Sequence, residues 1–255
     1  MTKKQKLENN IKKVYLYQIL GGIFFSIPVI VLFWQENGLS LTEIMVLQSI
    51  YAILAALLEV PTGYFADVYG RVPSLVIATV TSFFAIVVYS LGHNFAQFLV
   101  AEIFFAFAVS FASGTLSAFV YDTLKDLGRE KEYKKIWGNM LSFGLVSLAI
   151  SGIIGGFIGK IDLRYTMYLS IPFFAFMIPV VLSMQEPKRH KLIFKEGYLK
   201  QMFRVVYENI AKNQKLKWII IYSGVIFAFN QSALWLYQPY LKLTGVDVVY
   251  FGIVF

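Results

Sequence analysis

Residues 74–121 read SLVIATVTSFFAIVVYSLGHNFAQFLVAEIFFAFAVSFASGTLSAFVY, two long apolar runs joined by a short turn at His93. The whole stretch contains one charged side chain, that of Glu102. A helix needs about 20 mostly apolar residues to cross the hydrocarbon core of a bilayer. Both runs are close to this length or longer, so the stretch predicts two consecutive membrane-spanning helices.

The same pattern recurs along the rest of the 255-residue chain. We predict seven spanning helices, called spans 1 to 7, at residues 14–34, 41–66, 74–91, 95–121, 136–159, 165–184 and 218–240. An eighth apolar stretch begins near Val246 and reaches Phe255 after about ten residues, too few to cross. We therefore expect the chain to be a fragment that stops inside a helix. Span 1 has no signal-peptide cleavage site, which favours a retained helix.

The composition supports this interpretation. Hydrophobic residues make up 58% of the chain and charged residues 15%, whereas a soluble domain is about 45–50% apolar and about 25% charged. Mean hydropathy is +0.64. A soluble monomer could not hide this much apolar surface, so the sequence predicts an all-α polytopic membrane protein in contact with a lipid bilayer. The chain has no cysteine, which excludes disulfides and thiolate metal sites.

The basic residues are distributed unevenly among the segments between the spans. If the N-terminus is cytoplasmic, all but three of the 23 Lys and Arg residues lie in cytoplasmic segments. The exceptions are Lys160, Arg164 and Lys242. Positive residues are retained on the cytoplasmic side, and this bias sets topology. We therefore expect a multi-pass protein of the cell membrane, typical of bacteria, with a cytoplasmic N-terminus. The net charge of +8 is then a signal of orientation, and nucleic acid is not an expected partner.

The longest segment between spans divides the chain. We predict a complete N-terminal six-helix bundle over residues 1–185, a basic cytoplasmic linker over 186–216, and the beginning of a second transmembrane bundle over 217–255. Apolar residues recur in the linker at helical spacing, which predicts an amphipathic helix at the membrane interface or packed in the cytoplasm. They are Leu199, Met202, Phe203, Val206 and Ile210.

The segment between spans 2 and 3 reads GYFADVYGR over residues 63–71. Its glycines allow tight turns and close helix approach, and its Asp and Arg can cap helix ends or pair across an interface. With the six-helix layout and the basic linker, this motif resembles the major facilitator superfamily, whose signature here is Gly-x-Leu/Phe-Ala-Asp-Arg/Lys-x-Gly-Arg-Arg/Lys. Val68 and Val72 stand where the family often has basic residues. The resemblance implies a gating role for Gly63, Asp67, Gly70 and Arg71.

Span 5 contains a glycine-rich run, SGIIGG, over residues 151–156. It resembles a signature of the drug–proton antiporters of the same family, in which Ser151 replaces a glycine and Gly152 replaces a proline. The matching positions are Gly144, Gly155 and Gly156. The alternative is that these glycines only let a neighbouring helix pack closely.

Two segments suggest an internal repeat. Residues 63–71 end span 2 and residues 156–164, GFIGKIDLR, end span 5, with Gly first and Arg last in both. If spans 1–3 and 4–6 correspond, they run in opposite directions, as the inverted repeats of many secondary transporters do. A chance match is the alternative.

Three acidic residues are candidates for a proton or substrate site: Glu102, Glu59 and Asp122. A carboxylate in span 4 costs about 2.5–3.5 kcal/mol on insertion scales, so we expect Glu102 to face the interior, a cavity or a partner. No Lys or Arg lies within the first six spans. Glu102 is therefore either a proton or cation site or a structural hydrogen-bonding acid. Glu59 either binds a substrate cation or caps the backbone freed by Pro61. Asp122 is expected to meet Lys125 or another base of the cytoplasmic loops.

Aromatic and amide side chains give weaker indications. Trp34 and Trp235 are predicted near the outer interface, where aromatic anchors are common. Aromatic residues in spans 1 and 4 either line an apolar pocket for lipophilic cations or pack against lipid; they include Phe24, Phe25 and Phe107. Amides either line a polar cavity or join helices; they are Gln18, Gln48, Asn139, Asn230 and Gln231.

Signatures of an enzyme are absent from the sequence. His93 and His190 fall on opposite membrane faces, and no phosphate-binding loop of the Walker type is present. We expect no enzymatic activity, no cofactor and no metal. The sequence predicts a secondary transporter working by alternating access, with proton-coupled efflux of lipophilic or cationic small molecules as the specific hypothesis. A uniporter or symporter for a sugar, peptide or other metabolite, and a membrane half-protein that does not transport, are the alternatives. The C-terminal half of the same transporter is an expected partner.

Overall fold

The computed structural model describes residues 2–188, 207 and 213–254. In this part of the chain all regular structure is helical, which confirms an all-α polytopic fold. Seven helical segments are long and apolar enough to cross a membrane, as predicted: Lys3–Glu36, Leu41–Tyr69, Arg71–Leu91, Phe95–Asp126, Glu130–Ile161, Leu163–Leu182 and Gln214–Leu243. The amphipathic helix predicted around residues 199–210 lies outside the described residues.

Spans 1 and 4 are each divided into two helices, which the hydropathy pattern did not predict. The helices in chain order are α1 (Lys3–Gly22), α2 (Ile30–Glu36), α3 (Leu41–Tyr69), α4 (Arg71–Leu91), α5 (Phe95–Ala112), α6 (Thr115–Asp126), α7 (Tyr133–Ile161), α8 (Leu163–Leu182), α9 (Gln214–Leu243) and α10 (Phe251–Val254). Short 3₁₀ turns lie at Ile27–Val29, Glu130–Glu132 and Val248–Tyr250.

Helix boundaries follow from capping residues in the short turns. Ser40 and Glu43 form a capping box at the start of α3, and the side chain of Asn94 accepts the Gln97 N–H at the start of α5. These side chains satisfy backbone N–H groups that have no partner within the helix. Span 4 breaks at Gly114, whose φ of +51° suits glycine.

The six-helix bundle packs around α4, which contacts both α5 and α8, while α3 packs on α5 and α1 packs on α7 and α8. Large side chains from α2, α4 and α5 meet in its core. Trp34, Tyr89 and Phe98 are each less than 2% exposed there. The prediction that Trp34 anchors the protein at the membrane interface is therefore wrong: its indole is buried, and its ring centroid lies 5.7 Å from that of Trp235.

The two arginines that end the proposed repeat lie at opposite ends of the bundle. Arg71 begins α4, whereas the guanidinium of Arg164 donates to the carbonyls of Ser90 and Gly92, where α4 ends. Each arginine stands in the first turn of the last helix of its three-span unit, as an inverted repeat requires. We call these two ends of the bundle the Arg71 face and the Arg164 face.

The break in span 1, residues 23–29, is held by side chains of neighbouring helices. The hydroxyl of Ser151 donates to the Gly22 carbonyl at 3.0 Å and accepts the Phe24 N–H at 3.3 Å. The hydroxyl of Ser170 accepts the Phe25 N–H at 3.2 Å. Backbone polar groups inside a membrane must be satisfied within the protein. Ser151 therefore has a structural reason to replace the glycine of the antiporter signature.

The glycines of α7 are sites of close packing. A Cβ at Gly144 would lie 2.9 Å from the Gln18 side chain, and one at Gly155 would overlap the Phe25 carbonyl. A Cβ at Gly156 would lie 2.6 Å from the Val249 carbonyl oxygen. A Cβ at Gly252 would overlap the carbonyl of Gly152. These contacts support the packing interpretation of Gly144, Gly155 and Gly156, where a side chain would clash, and place Gly152 in close backbone contact with Gly252.

Candidate functional site

A cavity of about 240 Å³ lies between the six-helix bundle and α9. Span 1 contributes Phe24, Ile27, Ile30 and Trp34 to its wall, and α9 contributes Gln231, Leu234 and Trp235. Residues from α3, α4 and α5 complete it: Gln48, Tyr51, Tyr89, Glu102 and Phe105. The wall is therefore mostly aromatic and aliphatic, with a few hydrogen-bonding groups and one carboxyl.

Glu102 is 6% exposed and is held by two neighbours in this wall. The hydroxyl of Tyr89 donates to Glu102 Oε1 at 2.5 Å, and Gln48 Nε2 donates to the same oxygen at 2.5 Å. No hydrogen bond from the described residues reaches Oε2. One oxygen is thus fixed by two donors, while the other is free to carry a proton or face a cation.

The electrostatic surroundings of Glu102 match the expectation from the sequence. Among the described residues, no Lys or Arg lies within ion-pair distance of its carboxyl. A buried carboxylate without a cation is costly in hydrocarbon. Protonation, or the arrival of a cationic ligand, would each remove this cost, and the two events would compete for one negative charge.

The other two candidate acids lie away from this cavity. Glu59 is exposed, and its Oε1 accepts a hydrogen bond from the Ser113 hydroxyl at 2.7 Å, beside the break in span 4. Among the described residues the side chain of Glu59 makes no hydrogen bond to the backbone around Pro61, so the expected capping is not seen. Asp122 pairs with Arg71 rather than with Lys125, at an Nε–Oδ2 distance of 3.6 Å.

The predicted gating residues gather at the Arg71 face. Arg71 Nη1 lies 2.6 Å from Asp67 Oδ1, one helical turn earlier. Gly70 separates α3 from α4 with φ of +135°, a value that side chains rarely allow. Gly63 lies farther back on α3, where an added Cβ would meet nothing within 4 Å. The structure therefore brings Asp67, Gly70, Arg71 and Asp122 together and leaves Gly63 apart.

A further residue at this face was not predicted from the sequence. The carboxylate of Glu186, which follows α8, accepts the Arg71 N–H at 2.8 Å and the Val72 N–H at 2.7 Å. It caps the N-terminus of α4, where the helix dipole favours a negative charge. The sequence placed Glu186 in the linker, and its separation of 115 residues from Arg71 gave no signal of the contact.

The Arg164 face carries a second network. Arg164 donates to Asn37 Oδ1 at 2.5 Å and lies 3.1 Å from His93 Nδ1, with its guanidinium 5.1 Å above the Phe33 ring centre. Nearby, Lys160 Nζ donates to Asp247 Oδ2 at 2.7 Å and joins α7 to the segment after α9. Two of the three basic residues predicted on the outer side thus hold this face together.

Comparisons with known proteins agree with the architecture. A family model described as Major Facilitator Superfamily matches residues 15–255. The chain is 22% identical over 170 residues to an uncharacterised MFS-type transporter of Methanocaldococcus jannaschii, covering 65% of this chain and 44% of that protein. It is 21% identical over 176 residues to the quinolone resistance protein NorA of Staphylococcus aureus, covering 68% of this chain and 44% of NorA.

A solved structure shows the same fold. A POT family transporter, crystallised with a thioalcohol-conjugated peptide, superposes with a TM-score of 0.58 at 11% sequence identity, covering 95% of this chain and 52% of that one. The chain spans less than half the length of the curated relatives it matches.

Proposed function

Because this chain belongs to the Major Facilitator Superfamily, we propose that it forms part of a secondary active transporter that exports lipophilic or cationic small molecules in exchange for protons. In such transporters two bundles rock about a central site, which is open to one side of the membrane at a time. The likeness to NorA, whose name refers to quinolone resistance, supports efflux as the direction of transport.

One observation carries the proposal: Glu102 in the wall of the cavity. Two donors hold Oε1 at 2.5 Å, so the carboxyl keeps its position whether Oε2 carries a proton or not. Aromatic rings around it, those of Phe24, Trp34 and Phe105, suit a flat lipophilic cation, which they attract through their faces. Protonated Glu102 would release the cation, and ionised Glu102 would bind it.

The proposed orientation places the N-terminus and the Arg71 face in the cytoplasm. The charge bias supports this, since Arg164, Lys160 and Lys242 are the basic residues assigned to the other side. We propose that Asp67, Gly70 and Arg71, with Asp122 and Glu186, form the cytoplasmic gate. Such a network of charged contacts holds one conformation and is released in the other.

A second candidate function has one observation in its favour. Four wall residues offer hydrogen bonds to a polar solute: Gln48, Tyr51, Tyr89 and Gln231. A uniporter or symporter for a sugar, peptide or metabolite would use such groups. We favour the export of cations because the carboxyl is the one charged group of this wall.

The test is transport in inverted membrane vesicles that carry the protein. A cationic dye is added outside, an acid-inside pH gradient is imposed, and accumulation is followed with and without a protonophore. The proposal predicts that dye accumulates and that the protonophore abolishes this accumulation. Vesicles with Glu102→Gln should accumulate no dye. Vesicles with Glu130→Gln should accumulate dye as before, since Glu130 is exposed and remote from the cavity. Folded protein that accumulates no dye under any gradient would contradict efflux, and uptake of labelled sugars or peptides would then be measured.

A further inference from the structure

The side chain of Gln238 occupies an unusual position in the break of span 1. It is 1% exposed. Its Oε1 accepts the Val31 N–H at 2.8 Å, and its Nε2 donates to the Ile27 carbonyl at 2.9 Å. In an uninterrupted α-helix the N–H of residue 31 would donate to the carbonyl of residue 27. The amide of Gln238 is therefore inserted into the helical hydrogen-bond ladder of span 1, and we call it the Gln238 rung.

The other groups that hold the break come from two sources. Ser151 and Ser170 stand on α7 and α8, which pack directly on α1 and belong to the same bundle as span 1. Gln238 and Tyr237 stand on α9. The hydroxyl of Tyr237 donates to the Pro28 carbonyl at 3.2 Å. The sequence predicts that α9 begins the second bundle, and on that division the contacts of Gln238 and Tyr237 cross between bundles.

Helices α2 and α9 both contribute to the wall of the cavity that contains Glu102. Ile30 and Trp34 follow the break on α2, and Leu234 and Trp235 lie one turn before Gln238 on α9. The ring centres of Trp34 and Trp235 are 5.7 Å apart. A movement of α9 away from span 1 would therefore open this wall and withdraw the rung together.

We propose that Gln238 is a positioning residue that couples separation of the bundles on the Arg164 face to the shape of span 1. This rests on the alternating access of the proposed function. With α9 in place, the rung keeps span 1 broken. When α9 withdraws, the Val31 N–H and the Ile27 carbonyl lose their partners, which is costly in a low-dielectric interior. The two groups are one ladder step apart, so they then bond to each other, and α2 with Ile30 and Trp34 shifts relative to the cavity.

The test uses the absence of cysteine from the chain. Ile30→Cys introduces one thiol, at a position 4% exposed, and its rate of reaction with a membrane-impermeant maleimide is measured from the Arg164 side. Loss of two buried hydrogen bonds, each worth about 1 kcal/mol, corresponds to an increase in the open population of roughly 30-fold. We expect Gln238→Leu to raise the rate by about this factor and Tyr237→Phe to raise it less.

Two controls distinguish loss of the Gln238 rung from partial unfolding of the protein. Gln35→Leu makes the same chemical change on α2 at a side chain without a hydrogen bond to the described residues, and it should leave the rate unchanged. A second reporter, Val120→Cys, is 3% exposed in α6 towards the Arg71 face, and its labelling is measured from that side. Its rate should not change in Gln238→Leu; equal increases at both reporters would mean unfolding and would overturn the proposal.

The outcome does not depend on the substrate. If Gln238→Leu does not fold, labelling is measured in Gln238→Asn and Tyr237→Phe instead. Gln238→Asn keeps the amide group but shortens the side chain. Unchanged labelling of Ile30→Cys in these folded variants would overturn the role of Gln238. Labelling of Ile30→Cys needs neither a pH gradient nor Glu102. Failure of dye transport would therefore count against the proposed efflux, but it would not affect the labelling result for Gln238.

Discussion

Tyr89 and Glu102 stand on neighbouring antiparallel helices, and the Tyr89 hydroxyl donates to Glu102 Oε1 at 2.5 Å. Both side chains are buried, and the contact lies in the wall of the cavity between the bundle and α9. Gln48 Nε2 donates to the same oxygen. Tyr89 and Gln48 thus fix the position of the Glu102 carboxyl.

Tyr89→Phe is expected to slow dye transport, because the Glu102 carboxyl loses one of the two donors that fix its Oε1. A hydrogen bond to a charged group is worth about 1.5–3 kcal/mol, so we expect the transport rate to fall by roughly tenfold or more. The initial rate of dye accumulation in inverted vesicles measures the change. Tyr51→Phe is the matched control, because Tyr51 lines the cavity without a hydrogen bond to Glu102, and an equal loss there would contradict the assignment.

Glu186→Ala is expected to lower stability by about 1–2 kcal/mol, because the substitution leaves the Arg71 and Val72 N–H groups without their cap and removes a negative charge from the N-terminus of α4. Thermal unfolding of the purified protein measures the change. Glu130→Ala removes an exposed carboxylate elsewhere on the chain and should be near neutral. If the two variants have the same melting temperature, the cap at Glu186 does not stabilise α4.

Two glycines of α7 should respond to alanine in opposite ways. Gly155→Ala places a methyl group against the Phe25 carbonyl, and overpacking of this kind costs about 1–3 kcal/mol. A Cβ at Gly138 meets nothing within 4 Å, so Gly138→Ala should gain up to about 1 kcal/mol from helix propensity. Melting temperatures of the two variants decide the matter. A neutral Gly155→Ala would show that span 1 does not approach α7 this closely.

The Lys160–Asp247 contact should be lost in acid. The Lys160 ammonium, followed by the Val249 N–H, holds the pKa of the Asp247 carboxyl below its ordinary value of 3.8. A carboxyl with a lowered folded-state pKa contributes stability above its unfolded pKa and loses it as the pH falls through the folded one. At about pH 7 the unsubstituted protein should therefore have a higher melting temperature than Asp247→Asn. This difference in melting temperature should vanish as the pH falls below 3.8 and through the lowered pKa of Asp247. A difference independent of pH would mean that the ion pair is not its cause.

Several features of this protein could be predicted from single stretches of sequence. The number of spans and the hairpin turn at residues 92–94 follow from hydropathy, because a helix that crosses a bilayer needs a run of about 20 mostly apolar residues. The isolation of Glu102 from basic side chains also followed from sequence, since the first six spans contain none. The motif at residues 63–71 placed Asp67 and Arg71 in one short segment between spans 2 and 3, and the structure shows that they form an ion pair there.

Other features depended on contacts between distant parts of the chain. Trp34 was predicted at the membrane surface, yet it is buried and its ring packs against Tyr89 of α4 and Trp235 of α9. The break in span 1 has no unambiguous local signal, because Pro28 alone is compatible with a kinked helix. It persists because Ser151, Ser170 and Gln238 bond the backbone groups that the break frees.

The sequence by itself determined that this protein is helical, how many of its segments can cross a membrane, and which carboxyl is isolated among apolar residues, because hydropathy and charge are properties of each residue in place. Only the tertiary structure decided that Tyr89 and Gln48 share one oxygen of Glu102, that Glu186 caps α4, and that Gln238 enters the ladder of span 1. These pairings join residues up to 211 positions apart, and their geometry is set by helix packing rather than by any local pattern.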